Sequence, residues 1–206
     1  SRGVKMIVIA CNTSSAVALE ILRKELDVPV VGVIDAGARA ACRMQNNGLV
    51  GVIGTRATVN SRSYEKAIHA INTSLTVHQQ HASIFVSLTE EGWVDDEITR
   101  LTAKKYIGEM YEKGVRTLIL GCTHFPLLKK AILDVFPDMA LVDSGYEIAL
   151  EAKQMLKEKN LENSGATGRI ELYASDITDT LQMLKNMFFG VNGASMEKLT
   201  ISGGTI

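Results

Sequence analysis

Two cysteines in this chain each head a short polar run that could move protons or hold an anion. Cys11 is followed by Asn12 and Thr13, and Cys122 by Thr123 and His124. The two thiols stand 111 positions apart, and the residues leading into them correspond position by position. Val4-Lys5-Met6-Ile7-Val8-Ile9-Ala10-Cys11-Asn12-Thr13 matches Val115-Arg116-Thr117-Leu118-Ile119-Leu120-Gly121-Cys122-Thr123-His124. An apolar run closed by a small residue predicts a parallel strand buried on both faces. The residue after such a strand sits at its carboxyl end, where open α/β sheets bind ligands. The pattern therefore places two thiols at two equivalent ligand-binding edges, beside hydroxyl and amide groups. That arrangement suits a reaction needing one proton-transfer group on each face of a substrate. A free thiol titrates at about 8.5, so a thiolate near neutral pH needs help from its neighbours. His124 is spaced to give that help to Cys122.

Each residue also has a plainer reading. Free cysteines are often buried as small hydrophobes, and Cys42, in an amphipathic stretch without a polar cluster, is read that way. Asn12, Thr13 and Thr123 are types that cap helices. Thr55 and Thr58 follow Gly54, a setting for backbone anion binding or for an ordinary turn. His124 could cap a helix. His69, His78 and His81 show no partner pattern and are expected at the surface.

Composition narrows the class. The 206 residues suffice for one large domain or two small ones. With 22 Lys and Arg against 23 Asp and Glu, no global field attracts nucleic acid or a membrane surface. An aromatic content of 5% offers no base-stacking platform. Three widely spaced cysteines make no disulfide framework, and neither CxxC nor HxxxH spacing occurs. Reduced thiols fit the cytosol. No apolar run approaches the roughly 18–20 residues of a membrane span, and the opening Ser1-Arg2-Gly3-Val4 has no signal-peptide pattern.

The elements that must position the thiols alternate between strand and helix. Cap candidates Asn12-Thr13-Ser14-Ser15 precede helical spacing over 16–26. A strand over 30–34 ends at Asp35-Ala36-Gly37, and a helix over 38–45 stops at Asn46-Asn47-Gly48. A strand over 49–53 is followed by a helix capped by Asn60 or Ser61 and running to 71. Strands are expected at 75–77 and 84–88, then a helix over 95–113 with Ile98, Leu101, Ile107 and Met110 on one side. Strand 115–120, helix 126–136, strand 139–142, helix 146–159, a polar loop over 160–168, strand 170–173 and helix 176–188 complete the order. This alternation predicts an α/β fold with mainly parallel sheets.

The run Cys11-Asn12-Thr13-Ser14-Ser15-Ala16-Val17-Ala18-Leu19 and the run Gly121-Cys122-Thr123-His124-Phe125-Pro126-Leu127-Leu128 closely resemble the two signature segments of glutamate racemases. Val31-Gly32-Val33-Ile34 with Gly37-Ala38-Arg39-Ala40-Ala41, Val52-Ile53-Gly54-Thr55 with Thr58, Glu91-Gly92-Trp93 and Asp143-Ser144-Gly145 match as well. The resemblance implies two similar α/β domains, residues 1–34 with 144–206 and residues 35–143, with the active site in the cleft between them. It implies cofactor-independent interconversion of L- and D-glutamate for peptidoglycan, in the cytoplasm, with neither a metal nor another cofactor. A homodimer is the expected assembly, with glutamate as the small-molecule partner.

By the same resemblance Cys11 serves the D-glutamate side and Cys122 the L side, assisted by His124. Asn12, Thr13, Thr55, Thr58, Thr123 and Glu90 join the substrate site, Glu90 by contacting His124 unless it is simply a solvated loop carboxylate. Ser14-Ser15 departs from the Ala-Thr usual in the family. The family also carries a segment ahead of its first cysteine strand, with an Asp-Ser-Gly motif that assists the first thiol and a Tyr-Gly element near the substrate carboxylates. Here three residues precede Val4. The expectation is that this chain alone is inactive and associates through an exposed first strand. The rivals are an aspartate racemase or related enzyme, and an inactive racemase retained as a binding protein.

Overall fold

In the computed structural model, which describes residues 3–165, 168–190 and 194–200, chain contacts separate two units, Ser1–Glu162 and Asn163–Ile206. The first runs β1 (Ile7–Ile9), α1 (Asn12–Glu25), β2 (Val30–Gly32), α2 (Val33–Met44), β3 (Leu49–Gly54), α3 (Arg56–Asn60), α4 (Ser63–Ile71), β4 (Thr76–His81) and α5 (Ile84–Glu90). It continues through α6 (Glu97–Glu112), β5 (Thr117–Gly121), a 3-10 turn (Phe125–Leu128), α7 (Lys129–Val135), β6 (Ala140–Asp143) and α8 (Ser144–Glu158). The second contains β7 (Leu172–Ala174), α9 (Asp179–Phe189) and β8 (Met196–Lys198).

Within the first unit β4-β3-β5-β6 form a four-stranded parallel sheet, and β1 pairs with β2 in parallel. Side chains alternate across the sheet. Leu118 and Leu120 of β5 join Ile53, Phe85, Ile107, Phe125 and Ile132 in one core, toward α5, α6 and α7. Ile119 joins Val50, Val52, Val142, Tyr64 and Ile68 in the other, toward α2 and α4. Strand β5 is buried along its whole length, as the apolar run over 118–121 requires. In the second unit β7 pairs with β8 in parallel, Thr178 caps α9 by accepting from Leu181 N, and Lys198 pairs with Asp176 at 2.8 Å.

The α/β class with parallel sheets is thus as expected, but several elements differ. Strand β1 is shorter than its apolar run and not buried on both faces: Val4 is 51% and Val8 42% exposed. The segment read as a strand at 84–88 is helix α5, which buries Phe85, Leu88 and Thr89 on one side. Its β-branched residues gave way to a tertiary contact, the edge of the Phe85 ring on Phe125, with centroids 5.5 Å apart. Helix α2 begins at Val33, so Ile34 is not in a strand and Asp35-Ala36-Gly37 is no turn. Its first residues, Val33 and Ile34, are buried and continue the apolar run of β2, which disguises the start of the helix, while Asp35, Arg39 and Arg43 form its polar stripe.

The helix expected from a cap at Asn60 or Ser61 up to 71 is α4, capped instead at Arg62, whose φ of 53° accompanies bonds to Glu65, and the residues before it form an unexpected short helix, α3. The buried stripe of α6 is Thr99, Ala103, Ile107 and Met110, while Ile98 and Leu101 face outward. Strand β8 has no counterpart in the sequence pattern. Residues 1–2, 191–193 and 201–206 of the expected first domain, and 166–167 of the expected loop, lie outside the described residues.

Candidate active site

Cys11 sits at the end of β1 as the N-cap residue of α1, so Asn12, Thr13, Ser14 and Ser15 are first-turn residues rather than caps. The first turn of a helix has backbone N–H groups without partners, and they favour an anion. Cys11 is exposed. Its partial burial works against the thiolate, but hydrogen bonds from the backbone and side chain of Ser14, and then of Thr13, outweigh it. The thiol is thereby lowered from its ordinary value.

The other first-turn side chains reach across to the four-stranded sheet. Thr13 Oγ1 lies 2.9 Å from Thr55 Oγ1 and 3.3 Å from Thr58 Oγ1, and those two are 3.1 Å apart. Thr55 follows β3 as the N-cap of α3 and accepts from Thr58 N at 3.3 Å. Its capping and site roles therefore coincide, and neither threonine lies in a plain turn. Asn12 is buried, and Tyr64 of α4 donates its hydroxyl to Asn12 Oδ1 at 2.6 Å.

Cys122 follows β5, and the register Gly54↔Gly121 sets Thr55 and Cys122 side by side at the carboxyl ends of adjacent strands. Gly121 is required there, because a Cβ would lie 2.7 Å from the Ile53 carbonyl oxygen. Cys122 is 7% exposed. Burial pushes its thiol up, and the charge of Cys11 adds to the rise. Bonds from the His124 backbone and from Thr123 only partly offset this. Cys122 Sγ lies 3.7 Å from His124 Nδ1, and His124 Nε2 lies 3.3 Å from Glu90 Oε1. Thr123 Oγ1 is 3.4 Å from His124 Nδ1. Glu90 is the last residue of α5, not a loop residue.

All nine residues singled out from the sequence thus fall into two bonded groups at the sheet's carboxyl edge and the start of α1. One group is Cys11 with Asn12, Thr13, Thr55 and Thr58; the other is Cys122 with Thr123, His124 and Glu90. Electrostatic coupling between the thiols links them. Two titratable groups pushed in opposite directions can act as base and acid at one pH. Cys42 is half-buried against the α2–α4 core, as expected of a structural thiol. His69, His78 and His81 are half-buried at the surface, and His69 Nε2 lies 3.0 Å from the Leu75 carbonyl oxygen. Asp143 caps α8 through Gly145 N and Tyr146 N and pairs with Lys129 at 2.6 Å. Sequence reasoning missed Tyr64, since a lone aromatic in an amphipathic helix signals only core.

Among the described residues no helix is long and apolar enough to cross a membrane, and no group of three or more His, Cys, Asp or Glu could hold a metal ion. The model of the Asp/Glu/Hydantoin racemase family matches residues 1–152. Over 202 residues the chain is 42% identical to a glutamate racemase of Persephonella marina, covering 98% of this chain and 75% of that protein. A crystal structure of a glutamate racemase isoform from Bacillus anthracis superposes with a TM-score of 0.90 at 31% identity, covering 96% of this chain and 74% of the other. The glutamate racemase of Francisella tularensis, solved with D-glutamate, gives a TM-score of 0.88 at 34% identity over 96% of this chain and 74% of its own.

Proposed function

Because the chain belongs to the Asp/Glu/Hydantoin racemase family, we infer that it is an amino-acid racemase interconverting L- and D-glutamate. The observation that carries the mechanism is the pair of strand-end thiols, Cys11 at the start of α1 beside Thr13 and Ser14 and Cys122 buried beside His124, whose surroundings lower the first and raise the second. Cys11, the more readily ionised thiol, acts as thiolate and removes the Cα proton of D-glutamate. Cys122, favoured as thiol, delivers a proton to the opposite face and yields L-glutamate. In the reverse direction the roles exchange, and His124, bridging Cys122 and Glu90, carries the proton that readies Cys122 as a base. The three hydroxyls of Thr13, Thr55 and Thr58, with Asn12 and Thr123, offer donors and acceptors to the substrate's carboxylates and ammonium. Negative charge developing at Cα and its carboxylate is stabilised by donors already fixed in place.

The matched relatives at about 30–40% identity are glutamate racemases, so an aspartate substrate is not favoured. The corresponding role is supply of D-glutamate for peptidoglycan in the cytoplasm, by a homodimer. Cys11→Ala and Cys122→Ala should each nearly abolish racemisation, while Cys42→Ala retains it. Because each thiol serves one face, Cys11→Ser and Cys122→Ser should slow solvent-deuterium exchange unequally from the two enantiomers. Full turnover in either alanine variant would overturn the two-thiol reading.

A further inference from the structure

Tyr64 touches residues next to both thiols, and neither the sequence motifs nor the proposed chemistry assigns it a role. It is fully buried at the start of α4. Its hydroxyl donates to Oδ1 of Asn12, the residue after Cys11. Its ring lies against Gly121, the residue before Cys122: a Cβ there would sit 3.2 Å from Tyr64 Cε2. The opposite edge of the ring rests on α2, where a Cβ on Gly37 would meet Cε1 and the hydroxyl, each at 3.2 Å. The ring therefore sits between two glycines, and a side chain at either would crowd it. Ser144, at the start of α8, is beside the same hydroxyl.

We propose that Tyr64 is a positioning residue for both thiols, its hydroxyl fixing the turn that carries Cys11 and its ring fixing the strand end that carries Cys122. The proposal rests on the two-thiol reading but makes a separate claim. With Oδ1 taken by the tyrosine, the Asn12 amide keeps its NH2 as the donor it can offer an anion. Asn12 is also the first residue of α1, so holding its side chain holds the turn whose Thr13 and Ser14 groups stabilise the Cys11 thiolate. The titratable group coupled to Cys11 from the facing strand end is Cys122.

Tyr64→Phe preserves the ring and removes only the hydroxyl. The test is the pH profile of iodoacetamide alkylation at each cysteine, read by peptide mass spectrometry, which needs no turnover. In Tyr64→Phe the Cys11 profile should move up toward that of an ordinary thiol. A half-unit rise lowers its alkylation rate near neutral pH about threefold. Asn12→Ala, which deletes the same bond from the other side, should move the profile the same way. Thr99→Val is the control: it deletes a buried hydroxyl bonded to the Trp93 carbonyl and should lower stability without moving Cys11. In racemisation Tyr64→Phe should lower kcat more than it raises KM. An unmoved Cys11 profile in folded Tyr64→Phe, or in Asn12→Ala should the first not fold, overturns the proposal. So does an equal shift in Thr99→Val. Retained racemisation in the cysteine variants would instead overturn the two-thiol reading.

Discussion

Gly121→Ala tests how tightly the strand ends are set. The added methyl would lie 2.7 Å from the Ile53 carbonyl oxygen and 3.2 Å from Tyr64 Cε2. The first is backbone of β3, a central strand paired on both sides, and the second belongs to a fully buried ring. Neither can swing away, so the β3–β5 spacing must open by several tenths of an ångström. Overpacking of that kind costs about 1–3 kcal/mol, and the backbone contact puts this case at about 2–3. At this chain length each kcal/mol lowers the melting temperature by about 2–4 °C, so a loss of about 4–12 °C is expected. Trp93, the single tryptophan, belongs to the first unit, so its fluorescence follows the unfolding of that unit. The matched comparison is Gly108→Ala in α6, where a Cβ meets nothing within 4 Å. That change should stabilise by about 0.4–1 kcal/mol. The displacement next to Cys122 should also depress racemisation, since an error of about 1 Å in placement can cost about a hundredfold. A Gly121→Ala protein melting within a degree of the parent, beside a stabilised Gly108→Ala, would refute the argument from close strand approach.

Alkylation at neutral pH should label Cys11 first, being exposed with a lowered thiol, and leave Cys42 and Cys122 behind, both being raised by burial; faster labelling of Cys122 would contradict the electrostatics. Stability should respond to pH with opposite signs at the two sites. Above the ordinary thiol value of about 8.5, the unfolded chain has released a proton that folded Cys122 keeps, so this thiol lowers stability as pH rises. Below that value folded Cys11 has already released its proton, so it adds stability as pH climbs from its lowered value toward the ordinary one. Urea midpoints should show the alkaline loss flattened in Cys122→Ala and the gain flattened in Cys11→Ala, and unchanged curves in both would disprove the assigned directions.

The site was more legible in the sequence than the elements around it. Residues 118–121 form an uninterrupted apolar run because β5 is covered on both faces, and such a strand announces both itself and the residue after it. Cys122 and, through the repeat of the pattern, Cys11 could be placed for that reason. Ile84 to Leu88 misled because the same five residues suit a buried strand or one turn of a packed helix, and the Phe85 contact with Phe125 decides it. Helix α2 hid its start because Val33 and Ile34 continue the apolar run of β2 without a break, and its polar stripe of Asp35, Arg39 and Arg43 appears only further along. The break at Arg62 depends on a left-handed arginine next to Glu65, and no residue type foretells that. Tyr64 could not be found at all: its hydroxyl meets an asparagine 52 positions away, and only that contact distinguishes it from any core tyrosine.

The unequal thiols give the protein a direction of rest. With the Cys11 thiol lowered by its neighbours and the Cys122 thiol raised by burial, the protein is biased toward one of the two conversions. Under the proposed chemistry each passage of a substrate leaves that pattern inverted, with the proton on Cys11 and a negative charge on the buried sulfur. The molecule that releases product differs from the one that bound substrate, and it must relax before it can repeat the same conversion. Burial around Cys122 drives that relaxation, and the His124–Glu90 pair gives the proton a route. The catalyst thus retains a brief memory of the last enantiomer it handled. When substrate is abundant, the fading of that memory, rather than the breaking of a bond to carbon, can set the pace.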